Sequence, residues 1–273
     1  MTDMEGVAGV VTLPEYCLTG PRNKYGRAEG GRYYEHGREL ATLEANAAVE
    51  GLLEAGVTDV LVCDGHGPGG LNASLIHPEA RILTGRGQRQ PRGLDESFDL
   101  ALIVGQHAMA HTDGGHLCHS GSFSREEWTL NGVEIGEIHL FALLASELNV
   151  PVVMLAGDRA ACDEARRLIP SMLTVPVVEG ERMGSTRGMT TDQAIDLNVP
   201  AVHLSPTRAR QCIREGARQC VGLTEVVERY TVAPPYEMTR VPRRAEGEAR
   251  RVAVAQGDSL AEVMSQPIAY QTA

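Results

Sequence analysis

Hydrophobic residues along this chain form short continuous runs that alternate with longer stripes at helical spacing. Strands that are covered on both faces are apolar on both sides, and such runs occur at residues 59–63, 98–106 and 150–157. The stripes predict helices at 38–54, 136–148 and 158–170, and another from Pro206 to about Glu228. The pair Asn131-Gly132 favours a tight hairpin turn. This alternation indicates an α/β fold, with a mainly parallel sheet that is covered by helices.

The alternating pattern extends over roughly residues 1–200, which we predict to form one α/β domain. Residues 201–273 form a smaller C-terminal segment, with the helix after Pro206 and then a polar tail beyond Pro235. The pattern leaves open whether this segment belongs to the same domain. Its basic cluster from Arg240 to Arg251 contains interspersed acids, and is therefore predicted to be a solvated surface.

Charge and cysteine content narrow the range of partners and locations. The 273 residues carry a formal net charge of −11, which opposes binding to a polyanion, so nucleic acid is not expected as a partner. No apolar run approaches the length of about 18 residues that crosses a bilayer, so no membrane span is expected. The six cysteines include no C-x-x-C pair. This is typical of free thiols. Because there is no such apolar run, and the N-terminus has no basic region followed by an apolar one, we expect a cytoplasmic location.

Three glycines follow the first buried run in the G-x-G-x-x-G spacing of a dinucleotide-binding loop, at Gly65, Gly67 and Gly70. Such a loop should open a helix that is long enough to cross the sheet. Here only residues 71–76 separate the loop from His77-Pro78. We therefore expect the glycines to let the backbone bend around a site to which His66 contributes. A nucleotide-dependent oxidoreductase stays a distant alternative that rests on the glycine spacing alone.

Five acidic and histidine side chains lie at the ends of predicted elements. Asp3 and Glu5 are two positions apart, so in an extended segment both carboxylates point the same way. His66 follows the first buried strand, His107 closes the second, and Glu137 opens a predicted helix. Carboxylates and imidazoles suit zinc, or a pair of zinc ions that a carboxylate bridges. The α/β domain of residues 1–200 is therefore predicted to hold a zinc site and to be catalytic.

Several short motifs occur in a fixed order along the chain. They are D-M-E-G at the N-terminus, D-G-H-G after one strand, G-Q-H-A after another, then L-C-H-S, and V-E-I-G-E-I at the start of a helix. In this order they resemble the D-aminopeptidase family of dinuclear zinc metallopeptidases associated with dipeptide transport. The similarity runs from Asp3 to about Val226. The stretches 43–46, 153–161 and 204–206 are similar to the family in order and approximate position.

The resemblance implies a site and an activity. By position, two zinc ions per chain would be held by Asp3, Glu5, His66, His107 and Glu137, with Asp3 as the bridge. The catalytic residue would be His119. Three roles stay open for it, namely proton transfer, stabilisation of the oxyanion and direct nucleophilic attack. The implied reaction removes N-terminal residues, D-amino acids among them, from short peptides. The implied assembly is a homodecamer.

Two further functions stay open at this stage. A metal-dependent amidohydrolase that acts on a small non-peptide amide would use the same ligands, because the metal site activates water while other loops select the substrate. A non-catalytic oligomeric scaffold would follow if the N-terminal ligands no longer held metal.

The chain also departs from the family pattern. Only Met1 and Thr2 precede Asp3, so the first strand is expected to be nearly absent and two ligands to lie on a frayed terminus. Residues 182–200 are expected to be additional material. We expect His111 and His116 in a solvated loop between His107 and His119.

Overall fold

The computed structural model describes residues 1–22, 28–85, 93–181, 183–197 and 199–272. Its helices are α1 (Tyr34–Glu54), α2 (Glu137–Glu147), α3 (Arg159–Leu168), α4 (Thr191–Leu197), α5 (Pro206–Cys220) and α6 (Leu260–Ser265). Its first strands are β1 (Thr19–Arg22), β2 (Ala28–Gly30), β3 (Val60–Cys63), β4 (Ala80–Leu83), β5 (Ala101–Gln106), β6 (Arg125–Leu130) and β7 (Val133–Glu134). The remaining strands are β8 (Val152–Asp158), β9 (Leu173–Gly180), β10 (Ala201–His203), β11 (Tyr236–Pro242), β12 (Arg251–Gly257) and β13 (Gln271–Thr272).

The central sheet has the strand order β10-β9-β8-β5. Strands β5, β8 and β9 are parallel to one another, whereas β10 pairs with β9 in the antiparallel direction. Every residue of β5 and β8 is buried, as expected for parallel strands that are covered on both faces. The predicted α/β class is therefore confirmed, and the parallel arrangement holds for the central strands and for the separate parallel pair β3-β4.

The N-terminal residues join these two parallel units. Thr2 forms parallel bridges with Asp64, directly after β3, and with Val104 in β5. The backbone N–H of Asp3 donates to the carbonyl of Val104 at 2.9 Å. Asp3 and Glu5 are both buried. The expectation of a frayed terminus is therefore wrong, because hydrogen bonds from two neighbouring strands hold even this very short strand in place.

Helix α1 covers one face of the fold and packs against α5. The two helices approach closely at Gly51, where an added Cβ would lie 2.2 Å from the carbonyl oxygen of Arg214. Small residues at this crossing let the backbones meet, so α5, beyond residue 200, packs directly on the helix that precedes the first buried strand. None of the described helices combines the length and apolar character that a transmembrane span requires.

The predicted hairpin forms an edge of a second, antiparallel sheet with the order β13-β12-β11-β6-β7. Asn131 and Gly132 have φ angles of 50° and 78°, which is the left-handed conformation that a two-residue hairpin turn requires. Residues beyond Pro235, expected to be a polar tail, supply three of these strands and α6. They pack around Trp128 and Met238 in a second apolar cluster.

The basic cluster from Arg240 to Arg251 is only partly a solvated surface. Arg240 is 4% exposed and Arg243 is 8% exposed, whereas residues 244–251 are exposed. Arg240 lies against the ring of Trp128, 5.8 Å from the ring centroid to the guanidinium carbon. The prediction was wrong for these two residues because the pairing of β11 with β6 brings an apolar ring and buried carbonyls to their side chains.

Candidate metal centre

The five predicted ligands lie together at one edge of the parallel strands. Asp3 and Glu5 follow the Thr2 bridge, His66 follows β3, His107 follows β5, and Glu137 is the first residue of α2. The carboxyl ends of parallel strands share an edge of the sheet, which is where α/β folds form their ligand sites. Residues that are far apart in sequence are brought together by this edge.

The distances between these side chains are short. His107 Nε2 lies 2.8 Å from Glu137 Oε2 and 3.3 Å from Asp3 Oδ2. His66 Nε2 lies 3.4 Å from Glu5 Oε1. One ligand atom from each of Asp3, Glu5 and His107 lies within 4.8 Å of the other two. The contacts therefore form two groups, one around His66 and one around His107, with Asp3 and Glu5 between them.

Several of these atoms lack the hydrogen bonds that buried polar groups normally make. Among the described residues, no hydrogen-bond partner is available to His66 Nδ1, His107 Nε2, Glu5 Oε2 and Glu137 Oε2. His107 Nε2 and Glu137 Oε2 are close but do not form an aligned hydrogen bond with each other. Buried ligand atoms that converge without pairing fit a cation at their common focus.

The electrostatics of the cluster favour a cation. Burial and, after it, the charge of the neighbouring Glu5 carboxylate raise the pKa of Asp3 to about 7. Burial lowers the pKa of His107, but the carboxylates of Glu137 and Asp3 outweigh this effect and raise it well above its usual value. The site thus places the buried carboxylates of Asp3 and Glu5 beside the partly exposed carboxylate of Glu137, where the charge of a metal ion would relieve their mutual repulsion.

Neighbouring backbone and side-chain groups fix the orientation of the ligands. His107 Nδ1 lies 2.8 Å from the carbonyl oxygen of Ala108. A proton on Nδ1 satisfies this contact and leaves the lone pair of Nε2 directed at Asp3 and Glu137. The side-chain amide of Gln106 donates to Asp3 Oδ2 at 3.2 Å. These contacts hold the imidazole and the carboxylate in place before any metal binds.

His119, the predicted catalytic residue, stacks on His107 with ring centroids 3.9 Å apart. Its other face stacks on Phe123 at 4.5 Å. Its Nδ1 lies 3.0 Å from the carbonyl oxygen of Leu117, so a proton on Nδ1 leaves Nε2 as an acceptor. Burial and then the charge of His107 lower its pKa to about 4. The ring is therefore neutral near pH 7 and lies directly beside the ligand cluster.

The glycine loop packs closely against residues of this site. A Cβ at Gly65 would lie 2.4 Å from the carbonyl oxygen of Thr2, and one at Gly70 would lie 2.9 Å from the Cβ of His66. The backbone N–H groups of Gly70 and Leu71 already donate to the carboxylate of Asp64. These N–H groups are the donors that would bind a phosphate, and the Asp64 carboxylate already occupies them. The loop therefore does not fit the hypothesis of a dinucleotide-binding site. Only the short turn Ala73–Leu75 follows it.

Two buried side chains were not indicated by sequence reasoning, and one of them, Cys17, lies close to the cluster. Cys17 is buried, and its sulfur belongs to a group with one ligand atom each from Glu5 and His66. His116, expected in a solvated loop, is fully buried with its Nε2 3.0 Å from the carbonyl oxygen of Val10. No spacing in the sequence could indicate either position, because both depend on how the chain folds back on its N-terminus.

Comparisons with known proteins agree with the fold and with the motif order. The chain is 37% identical over 178 residues to the D-aminopeptidase of Bacillus subtilis (strain 168). That match covers 64% of this chain and 61% of the relative, so it spans less than two thirds of the relative's length. A solved structure, that of the Zn-dependent D-aminopeptidase DppA from Bacillus subtilis, a self-compartmentalizing protease, superposes with a TM-score of 0.78. It is 26% identical, and the match covers 96% of this chain and 92% of that one.

A family model gives the widest sequence match. The model described as D-aminopeptidase matches residues 1–265, which include every predicted ligand, the glycine loop and most of the antiparallel sheet. The match therefore extends well beyond Val226, where the motif resemblance was expected to end. The chain belongs to the D-aminopeptidase family.

Proposed function

We propose that this chain is a zinc-dependent aminopeptidase that releases N-terminal residues, D-amino acids among them, from short peptides. The observation that carries the proposal is the convergence of Asp3, Glu5, His66, His107 and Glu137 on neighbouring groups of ligand atoms, several of which are buried and unpaired. Membership of the D-aminopeptidase family and the likeness to a Zn-dependent member support it. The predicted ligand set fits two ions, with Asp3 between the groups around His66 and His107.

When bound, a pair of zinc ions would lower the pKa of a water molecule and polarise the scissile carbonyl. The chain's own residues hold and order this site. His107 presents Nε2 because its Nδ1 faces the carbonyl of Ala108. Phe123 and His107 enclose the ring of His119 from both sides. We assign His119 Nε2 the role of accepting a proton from the attacking water, because its Nδ1 is committed to the carbonyl of Leu117.

We further propose that the protein is a cytoplasmic homo-oligomer, with the homodecamer of the family as its expected form. The description of the similar structure as self-compartmentalizing supports assembly. Exposed apolar side chains at Val133 and Met183, 62% and 73% accessible, offer contact surface to other copies. All six cysteines lie in the described residues and are free, which favours a reducing compartment. Light scattering on the purified chain would measure the assembled mass.

The experiment that tests the proposed activity combines metal analysis with hydrolysis. Elemental mass spectrometry of the wild type should find about two zinc ions per chain, the number that a bridged pair requires. His66→Ala and His107→Ala should each lose zinc and activity. His36→Ala is the matched control, since His36 is exposed on α1 and belongs to none of the groups of ligand atoms found among the described residues. Both metal content and activity should survive this change.

The substrate panel should contain D- and L-aminoacyl amides, D-dipeptides and non-peptide amides. Preferential hydrolysis of the aminoacyl compounds supports the proposal, and the ratio of D to L rates gives the stereochemical preference. Hydrolysis that survives complete removal of metal by a chelator, or full activity in His66→Ala, would overturn it. Faster hydrolysis of a non-peptide amide would move the assignment to a metal-dependent amidohydrolase.

A further inference from the structure

Cys17 lies at the end of a single π-helical turn, Leu13–Cys17, that follows the N-terminal ligand segment. Its side chain is completely buried. Its sulfur, one carboxylate oxygen of Glu5 and one ring nitrogen of His66 all lie within 4.8 Å of one another. The thiol therefore lies close to ligand atoms of two of the predicted metal ligands.

A second observation points independently to a ligand at this position. Glu5 is 3% exposed and His66 is 7% exposed. Within the part of the chain that the structure describes, Glu5 Oε2 and His66 Nδ1 find no hydrogen-bond partner. Leaving such atoms buried and unpaired is unfavourable, because they lose their hydrogen bonds to water. A cation bound among Glu5, His66 and Cys17 would provide a partner for buried ligand atoms of this kind.

We propose that the thiolate of Cys17 is a protein ligand of the metal ion that Glu5 and His66 hold. The inference rests on the proposed zinc site and adds a sulfur ligand to it. On binding, the Cys17 S–H bond breaks, the proton leaves to solvent, and the sulfur lone pair forms the bond to the cation. Sulfur, nitrogen and oxygen together are a ligand set that zinc accepts readily.

A thiolate at Cys17 fits the charge of the site only together with bound cations, because burial and the carboxylates of Glu5 and Asp3 raise the pKa of the free thiol. Asp3, Glu5 and Glu137 supply three carboxylates, and a thiolate at Cys17 adds a fourth negative group. Two divalent cations would balance these four charges in a buried environment, where an excess charge is costly. A sulfur ligand also disfavours hard cations such as Mg²⁺ and Mn²⁺, which prefer oxygen. Cys17 would thus make one of the two positions selective for zinc.

The other buried cysteines offer a contrast. The thiol of Cys118 donates to the carbonyl oxygen of Thr112, and that of Cys220 donates to the carbonyl oxygen of Ala217. Cys162 is fully buried in α3. Among the described residues, the groups that bring three ligand atoms together contain none of these three cysteines. Cys162→Ser is therefore the matched control for Cys17→Ser, since each change replaces a fully buried thiol with a hydroxyl.

The test uses the full chain loaded with zinc. X-ray absorption at the zinc edge should reveal a sulfur neighbour at about 2.3 Å in the wild type, the length of a zinc–thiolate bond. The signal should vanish in Cys17→Ser and persist in Cys162→Ser. In competition with a chelator, Cys17→Ser should hold one of its zinc ions at least about tenfold more weakly, since even indirect ligand partners contribute this much. The same variant should take up Mn²⁺ in place of zinc more readily than the wild type.

The outcomes separate this inference from the proposed function. Two zinc ions per chain without any sulfur neighbour would overturn the role of Cys17 and leave the aminopeptidase proposal standing. Chains that bind no zinc at all would overturn both. The wild-type spectrum decides the question even if Cys17→Ser does not fold, because it requires no substitution.

Discussion

The imidazole rings of His119 and His107 lie face to face, with their centroids 3.9 Å apart and their planes 16° apart. The ring of His119, which is neutral near pH 7, therefore lies directly against His107. The carboxylates around His107 favour the charged form of its ring. The buried environment opposes protonation of His119, and so does a positive charge at His107, whether it comes from the ring's own proton or from a cation that the ring binds. The ring can therefore accept a proton in the hydrolytic step without being protonated beforehand near pH 7.

Replacing His119 should separate catalysis from metal binding. His119→Ala is expected to lower kcat by roughly 10²–10⁴, the usual contribution of a positioned acid or base. Zinc content should stay at the wild-type value, because the ring acts on a proton and other side chains hold the metal. Steady-state kinetics and elemental analysis of the same preparation provide the check. Loss of one zinc ion in His119→Ala would instead identify His119 as a ligand beside His107 and Glu137.

Gly65 should be essential for metal binding although it carries no ligand atom. An alanine Cβ would lie 2.4 Å from the carbonyl oxygen of Thr2, a backbone atom that cannot move without displacing Asp3 and Glu5. Gly65→Ala is therefore expected to lower zinc affinity by at least about tenfold, as indirect disturbance of ligands does. Gly222→Ala is the control, since, among the described residues beyond its chain neighbours, no atom lies within 4 Å of its added Cβ. Equal zinc affinity in the two variants would contradict this account of the glycine loop.

Local patterns in the sequence predicted those parts of the fold that local forces decide. The turn at Asn131-Gly132 was predictable because both residues tolerate the left-handed conformation that a tight hairpin needs. The strand ends at His66 and His107 were predictable because continuous aliphatic runs precede them. The ligand cluster then followed from the geometry of a parallel sheet.

Features that depend on distant pairing could not be predicted. Thr2 is held by two strands that lie roughly 60 and 100 positions further along the chain, which a segment of two residues cannot indicate. Arg240 is buried because β11 pairs with β6 and brings it to Trp128. Cys17 has no partner cysteine or histidine at a ligand spacing. Its place beside Glu5 and His66 arises from the turn that follows the N-terminal segment.

Arg243 should be important for stability, unlike the arginine that follows it. Its guanidinium donates to the carbonyl oxygens of Thr186, Met189 and Phe123, at 2.6, 3.1 and 2.9 Å. Arg243→Ala would leave these buried acceptors unpaired and should lower the free energy of unfolding by about 3 kcal/mol. Arg244→Ala, an exposed neighbour, should change it by less than about 0.5 kcal/mol. Denaturant unfolding of both variants measures the difference.

Because Phe123 stacks on His119, loss of Arg243 should also disturb the candidate catalytic ring. Arg243→Ala is expected to lower kcat by a larger factor than it changes KM. The zinc content should stay unaltered. Wild-type kcat in a variant that is clearly destabilised would contradict the coupling between this arginine and the site.

Glu44 should make the protein less stable as the pH rises. This residue of α1 is 1% exposed, and its Oε1 accepts a hydrogen bond from the backbone N–H of Ala8 at 2.9 Å. No partner for Oε2 occurs among residues 1–22, 28–85, 93–181, 183–197 and 199–272. Burial raises the pKa of this carboxyl from 4.5 to about 8. The folded state therefore favours the neutral form.

The direction of the pH effect follows from this raised pKa. The unfolded chain releases the Glu44 proton near pH 4.5 and the folded chain near pH 8, so between these values the folded state binds more protons and its stability falls as pH rises. Glu44→Gln keeps an acceptor for Ala8 and never ionises. It should match the wild type near pH 4.5 and exceed it by a few kcal/mol at pH 8. Glu39→Gln, an exposed acid on the same helix, should show no such divergence. If the free energy of unfolding changed with pH in the same way for wild type and Glu44→Gln across this range, the Glu44 carboxylate would have to be stabilised in the folded protein.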